Sequence, residues 1–181
     1  MVGFVFALSL TALLSHVGKL VIARDRVKFS WLSSLSIFSA MLLVYVNWLA
    51  MWELHVIKNW DVLSITALML FTLSVAFVCM VAAPKTWPEK SVDLEQFYWR
   101  QHKVFYSSWL ICVLLAILTN FLLLDSPTGS KLLQENLLNL IMLPPILLAL
   151  LVSARWAQWF GLCSLILTNF VFLVLFESQI N

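Results

Sequence analysis

Residues 62 to 83 read VLSITALMLFTLSVAFVCMVAA, an apolar run without one charged side chain. A soluble protein would have to hide such a helix on every face, whereas a bilayer accepts it because its core is itself hydrocarbon. About 20 residues of this kind are enough to cross that core.

The same pattern recurs along the chain. Of 181 residues, 62% are hydrophobic and 11% charged, and the mean hydropathy is +0.97. Soluble domains carry about 25% charged residues, so this is membrane composition. The length fits a single domain, 1–181. Charged residues divide the chain into six apolar runs, near 2 to 23, 30 to 52, 61 to 83, 104 to 124, 135 to 154 and 156 to 176. The expected fold is therefore an all-α polytopic membrane protein with six transmembrane helices, arranged as three helical hairpins. No basic residue precedes the first run and no small-residue cleavage site follows it. It is expected to stay as a span rather than leave as a signal peptide.

Lysine and arginine set the direction of insertion. Lys19, Arg24, Arg26 and Lys28 lie around the first connection, Lys85, Lys90, Arg100 and Lys103 around the third, and Arg155 at the fifth. These are nine of the 11 basic residues, and only Lys58 and Lys131 lie on the other side. The first group marks the cytoplasm, which places both termini outside. Cys79, Cys112 and Cys163 fall inside apolar runs without CxxC spacing, so they read as small buried hydrophobes rather than a disulfide or metal set.

The cytoplasmic loop 84–103 leads into the most unusual stretch, SVDLEQFYWRQHKVFYSSW at 91 to 109. Pro84 stops the third span, and Trp87 and Pro88 hold an extended turn. Asp93 with Gln96 three residues on is a capping-box pattern, with Glu95 well placed in the first turn. A helix unbroken from Leu94 to Leu124 would be roughly 46 Å long at 1.5 Å per residue, far beyond a ~30 Å core, so about ten residues must project from it. Tyr98, His102, Phe105 or Tyr106, and Trp109 form an aromatic stripe at helical spacing. Two readings stand. The stripe anchors the helix in the headgroup layer, with Arg100 and Lys103 meeting anionic lipid. Alternatively, Asp93, Tyr98, Arg100 and His102 form a cytoplasmic cap packed against Arg24 and Arg26, serving as a gate or docking surface.

Three segments, SHVGKLV at 15 to 21, VNWLAMWEL at 46 to 54 and VDLEQFYWRQHKVFY at 92 to 106, give the first two thirds of the chain a likeness to a family. The sequence resembles a set of bacterial inner-membrane proteins of uncharacterised activity. The resemblance implies a bacterial cytoplasmic membrane and six spans, and it carries no catalytic residue.

Polar groups at membrane depth are the candidates for function. No Asp or Glu lies near the middle of a span, which argues against a proton-coupled pump with a midplane carboxylate. His16, in the first span, is the titratable exception; it reads either as an interhelical hydrogen-bonding residue or as a ligand. Haem would require a second histidine at equal depth, for which only His102 is available, and no cofactor or metal is expected. Each outward-running span carries an asparagine in its outer part: Asn47, Asn120 and Asn169. The latter two sit in copies of LTNF at 118 to 121 and 167 to 170. Asn136 and Asn139 enter the fifth span near the same level. These amides read either as interhelical glue or as a polar layer lining an outward-open vestibule. On the second span Ser33, Ser36, Ala40 and Asn47 share a face that would extend the layer inward.

Pro144 and Pro145, near the middle of the fifth span, deprive the carbonyls of Leu140 and Ile141 of their partners and predict a kink that could serve as a hinge. Ala7, Thr11 and Ser15 make a small-residue seam suited to a neighbouring helix or subunit. The sequence contains no Walker loop, GxGxxG, HExxH, GxSxG or TVGYG. An enzyme would have to work with Asp93, Tyr98, Arg100 and His102 at the surface, and no catalytic residue is assigned. The leading functional expectation is an oligomeric transport or channel-like protein. In it Asn47, Asn120, Asn139 and Asn169 meet a small solute, the prolines move, and residues 93 to 109 cover the inner mouth. The alternative is a non-catalytic membrane subunit or scaffold that docks a partner at its cytoplasmic face. The expected partners are the lipid bilayer and either further copies of the chain or a membrane complex, with no nucleic acid.

Overall fold

The computed structural model describes residues 2–51, 60–84, 92–123 and 129–180. Six helices account for nearly all of them: α1 (Val2–Ile22), α2 (Trp31–Ala50), α3 (Val62–Ala82), α4 (Leu94–Leu123), α5 (Gly129–Leu151) and α6 (Arg155–Ile180). All six are long and apolar enough to cross a membrane. The chain is a multi-pass, all-α integral membrane protein.

Local chemistry starts the helices where the charges fall. Asp61 caps α3, its carboxylate accepting the backbone N–H of Ser64 at 3.1 Å; hydrogen bonding from the Ser64 side chain first, and then from this N–H, favours the ionised form and holds Asp61 below the usual carboxylate range. Asp93 caps α4 as its spacing predicts, one oxygen accepting from both Glu95 and Gln96 backbone N–H groups at 3.0 Å. Within the spans, hydroxyls return to their own helix: Thr11 donates to the Ala7 carbonyl, Thr66 to Val62 and Thr72 to Leu68. Such back-bonding lets a hydroxyl lie in a bilayer without an orphaned hydrogen.

The helices alternate in direction, so the starts of α2, α4 and α6 gather at one end, here the basic end. Helices α2, α3, α4, α5 and α6 contact one another in a closed circuit in which α6 returns to α2, while α1 leans on α2 and α3 from outside. Burial follows this plan: 56% and 61% of the apolar windows of α2 and α3 are buried, against 17% for α1. The Ala7, Thr11 and Ser15 seam is exposed and faces away from the bundle, so the described helices of the same chain do not cover it.

Hydrocarbon is as apolar as leucine, so packing rather than exclusion from water holds such a bundle together. Trp109, Tyr106, Ile146, Leu162 and Leu165 are fully enclosed where α4, α5 and α6 meet. Gly161 makes this approach possible. A Cβ there would stand 2.7 Å from the Ala149 Cβ and 2.9 Å from the Tyr106 hydroxyl, closer than atoms pack. Helix α5 carries through Pro144 and Pro145 as one helix. It begins at Gly129, with the polar side chains of Lys131, Gln134 and Glu135 in its first turns.

At the basic end, a 3-10 turn (Arg24–Arg26) leads into β1 (Val27–Lys28), which pairs in parallel with β2 (Val92–Asp93). This two-residue pairing sets Val27 against Val92 and Lys28 against Asp93. It ties the start of α2 to the start of α4.

Candidate functional site at the basic end

Both readings of residues 91 to 109 turn on which way the aromatic stripe faces. It faces inward: Tyr98, His102, Phe105, Tyr106 and Trp109 are all buried, while Gln96, Arg100, Lys103 and Val104 on the other side of α4 are exposed. The stripe is therefore part of the bundle core, and a lipid anchor is not what it forms.

The inward residues join α4 to α5, to α6 and to the segment between those two. Tyr98 donates its hydroxyl to Gln158 Oε1 on α6 at 2.9 Å, and Tyr106 donates to the Gln158 backbone carbonyl at 3.2 Å. The two tyrosine hydroxyls approach within 3.5 Å. Gln158, fully buried, uses its amide nitrogen to donate to the carbonyls of Ala149 at 2.7 Å and Val152 at 2.9 Å. These carbonyls sit at the C-terminal end of α5, where a helix leaves acceptors without partners. One side chain thus caps α5 while receiving a bond from α4.

His102 extends the junction. Its Nδ1 lies 2.8 Å from the Trp99 carbonyl; a carbonyl can only accept, so Nδ1 carries the hydrogen. Its Nε2 faces Ser153 Oγ at 3.4 Å. The ring stacks on Tyr98, with centroids 6.3 Å apart, and meets Trp99 edge-on at 5.5 Å. Outside this layer lie two ion pairs. Lys28 Nζ binds Asp93 at 3.0 Å, and Arg155 binds Glu95. The backbone N–H of Gln96, followed by the Lys28 ammonium, holds the Asp93 carboxyl below its ordinary range. The same Asp93 bond pushes the Lys28 ammonium above its own. The expected cap partners change accordingly: Lys28 reaches Asp93, while Arg24 and Arg26 stay exposed on their turn and Arg100 points away.

A void of about 10 Å³, enough for one water, opens beside this junction and is lined by Ser36, Ala82, Tyr98, Gln101, His102 and Phe105 among others. Among the described residues, Ser33 Oγ and Trp109 Nε1 are buried without a hydrogen-bond partner. No three His, Cys, Asp or Glu side chains converge as a metal site among the described residues. His16 hydrogen-bonds the Ala12 carbonyl of its own helix at 2.6 Å.

The asparagines separate into two kinds. Asn120 donates to Asn136 Oδ1 at 3.0 Å, and Asn139 approaches the same oxygen at 3.4 Å. That cluster joins α4 to α5 at the end opposite the basic one. Asn47 and Asn169 instead donate to the carbonyls of Leu43 and Leu165, four residues back on their own helices. The structure therefore brings Asn120 and Asn139 together through Asn136, with Asn47 and Asn169 satisfied locally. Glu53 and Asp125, the acids near the span ends, lie outside the described residues, as do the Glu177 side chain and the loop stretch holding Trp87 and Pro88.

The central residue of the junction, Gln158, was not singled out from the sequence. The signal was present in RWAQWFG at 155 to 161, a carboxamide entering an apolar run, and the inference applied to asparagine applies equally to glutamine. No family model matches this chain, and neither does any curated protein or solved structure.

Proposed function

We propose that the chain is a non-catalytic membrane subunit or scaffold of a bacterial cytoplasmic membrane, with both termini periplasmic, that docks a protein partner at its cytoplasmic face. One observation carries this reading: the first turns of α4 are fixed on one side and open on the other. Tyr98, His102 and Tyr106 lock them into the bundle, while Gln96, Arg100 and Lys103 stand exposed, with no ion pair for Arg100 or Lys103 among the described residues. At 30 residues, α4 is about 45 Å long at 1.5 Å per residue, so this segment extends past a ~30 Å core. A rigid, cationic helical stub suits an acidic partner surface, since preorganisation lowers the cost of association. Purification from native membranes at native expression tests it. A partner in fixed stoichiometry, released by Arg100→Glu with Lys103→Glu while the fold stays intact, is the expected result. A chain that purifies alone would overturn it.

A second reading, transport of a small uncharged or weakly charged solute by an oligomer, draws on the Asn120, Asn136 and Asn139 cluster. Pro144 and Pro145 lie further along the same helix as two of its members. Reconstituted liposomes should then show solute flux that Asn120→Leu abolishes. Flux equal to that of empty vesicles across a panel of solutes would remove this reading.

A further inference from the structure

The α1–α2 connection combines exposed cations with exposed apolar groups, and the Lys28–Asp93 ion pair explains neither. Lys28 is engaged by Asp93. Arg24 lies 3.9 Å from Asp25, with both side chains more than four-fifths exposed, and Arg26 has no ion pair among the described residues. Around them Val21 is 64% exposed, Ile22 85%, Phe29 58% and Trp31 66%. Phe29 and Trp31 meet edge to face, with centroids 5.1 Å apart, and so present a joined aromatic surface rather than two loose rings.

We infer that this connection is a binding site for an anionic phospholipid, with the Arg24 and Arg26 guanidiniums on the headgroup phosphate and Ile22, Phe29 and Trp31 along the glycerol and upper acyl chain. The depth fits, because α1 ends and α2 begins here, at the level where indole rings sit between headgroup and hydrocarbon. The charge fits as well: a guanidinium can take a phosphate in a two-pronged hydrogen bond. An acidic protein would satisfy the arginines, but it would have no need for an isoleucine and two aromatic rings exposed beside them. The site is separate from the Arg100 and Lys103 surface, so either can fail without the other.

The test uses the full chain in phosphatidylcholine nanodiscs, titrated with dibromo-phosphatidylglycerol or dibromo-phosphatidylcholine. Trp31 emission is taken as the difference between the wild type and Trp31→Phe. Phosphatidylglycerol is expected to quench Trp31 at a several-fold lower mole fraction than phosphatidylcholine. Each of Arg24→Gln and Arg26→Gln should raise the half-quenching fraction about fivefold, from roughly 1 kcal/mol per basic residue near an anionic surface. Arg100→Gln should leave it unchanged. Identical curves for the two lipids would overturn the proposal, as would a phosphatidylglycerol curve unmoved by the double variant or moved equally by Arg100→Gln. A co-purifying protein that shields Trp31 from both lipids would overturn it too and assign the surface to a peptide partner.

Discussion

Replacing Gln158 by leucine tests the central junction directly, because the two side chains are close in size and differ in polarity. The substitution removes three hydrogen bonds: the one accepted from Tyr98 and the two donated to Ala149 and Val152. Interhelical bonds inside membranes average about 0.6 kcal/mol, so direct loss comes to roughly 2 kcal/mol. The Tyr98 hydroxyl can still turn to Tyr106, and Val152 stands near the surface, but the Ala149 carbonyl is left enclosed. An orphaned buried acceptor costs about 1–3 kcal/mol, which brings the total to about 3–5 kcal/mol. Reversible unfolding in mixed micelles, titrated with sodium dodecyl sulfate, measures it. Tyr98→Phe removes one bond and should cost about 0.6 kcal/mol. In the Gln158→Leu background its effect should shrink to what the Tyr106 contact contributes, the mark of a shared interaction in a double-mutant cycle. Gln158→Glu sharpens the argument, since it keeps the size but leaves, in the neutral acid that burial favours, one O–H to serve two carbonyls. It should destabilise relative to the wild type. If Gln158→Leu costs under about 1 kcal/mol, or Gln158→Glu matches the wild type, the amide is filler and the reasoning fails.

Gly161→Ala should destabilise by about 1–3 kcal/mol through overpacking. Adding Ala149→Gly should recover part of the loss, because the Ala149 Cβ is the nearest obstacle, at 2.7 Å; unfolding of the single and double variants would show the recovery. The Lys28–Asp93 clasp has a defined pH window. The lowered Asp93 value makes its contribution complete above about pH 3.9, the unfolded value, and loses it as pH falls through the folded one. The raised Lys28 value keeps its share complete below about pH 10.4 and loses it as pH rises further. Hydrogen exchange at Glu95 and Gln96, corrected for intrinsic rates, should speed up below pH 4 in the wild type and be fast throughout in Asp93→Ala. Asn136→Leu should cost more than Asn169→Leu, by about 1 kcal/mol for the two amide contacts it serves. Equal costs would mean that the Asn120 contact contributes nothing.

Sequence periodicity and charge located the helices well because both signals are local. The run expected at 61 to 83 is α3, Val62–Ala82, and the cap read from Asp93 and Gln96 starts α4. The clasp was hidden for a physical reason. Two-residue strands carry no period, and Val27 and Val92 lie far apart in sequence, so their pairing leaves no pattern. Facing was equally hidden. On α4 the outward side offers Val104, Ile111 and Leu114 as the inward side offers Phe105, Cys112 and Val113, and in hydrocarbon neither set is penalised. Asparagine drew attention as a polar residue in a span, yet its short amide can reach the preceding turn, as Asn47 and Asn169 do. The longer glutamine at 158 reaches a neighbouring helix.

Among the described residues, this difference in reach braces the basic end more than the other. At the basic end four side-chain contacts, Lys28–Asp93, Glu95–Arg155, Tyr98–Gln158 and His102–Ser153, join segments more than fifty residues apart. At the other end the described side chains mostly serve their own helices, with Ser64 to the Leu122 carbonyl and Asn120 to Asn136 as links between helices. Opening the basic end would break several coupled bonds together and expose Gln158, whereas spreading the other end breaks fewer side-chain links between helices among the described residues. Any conformational change in this bundle should therefore pivot about the Gln158 junction and move the asparagine end. A Lys28→Cys, Asp93→Cys crosslink offers the discriminating measurement. If the chain changes shape in use, the crosslinked protein should do so unimpeded, while a pair of cysteines at 120 and 136 should arrest it. Arrest by the basic-end crosslink instead would place the moving part at the junction and reverse the assignment of brace and hinge.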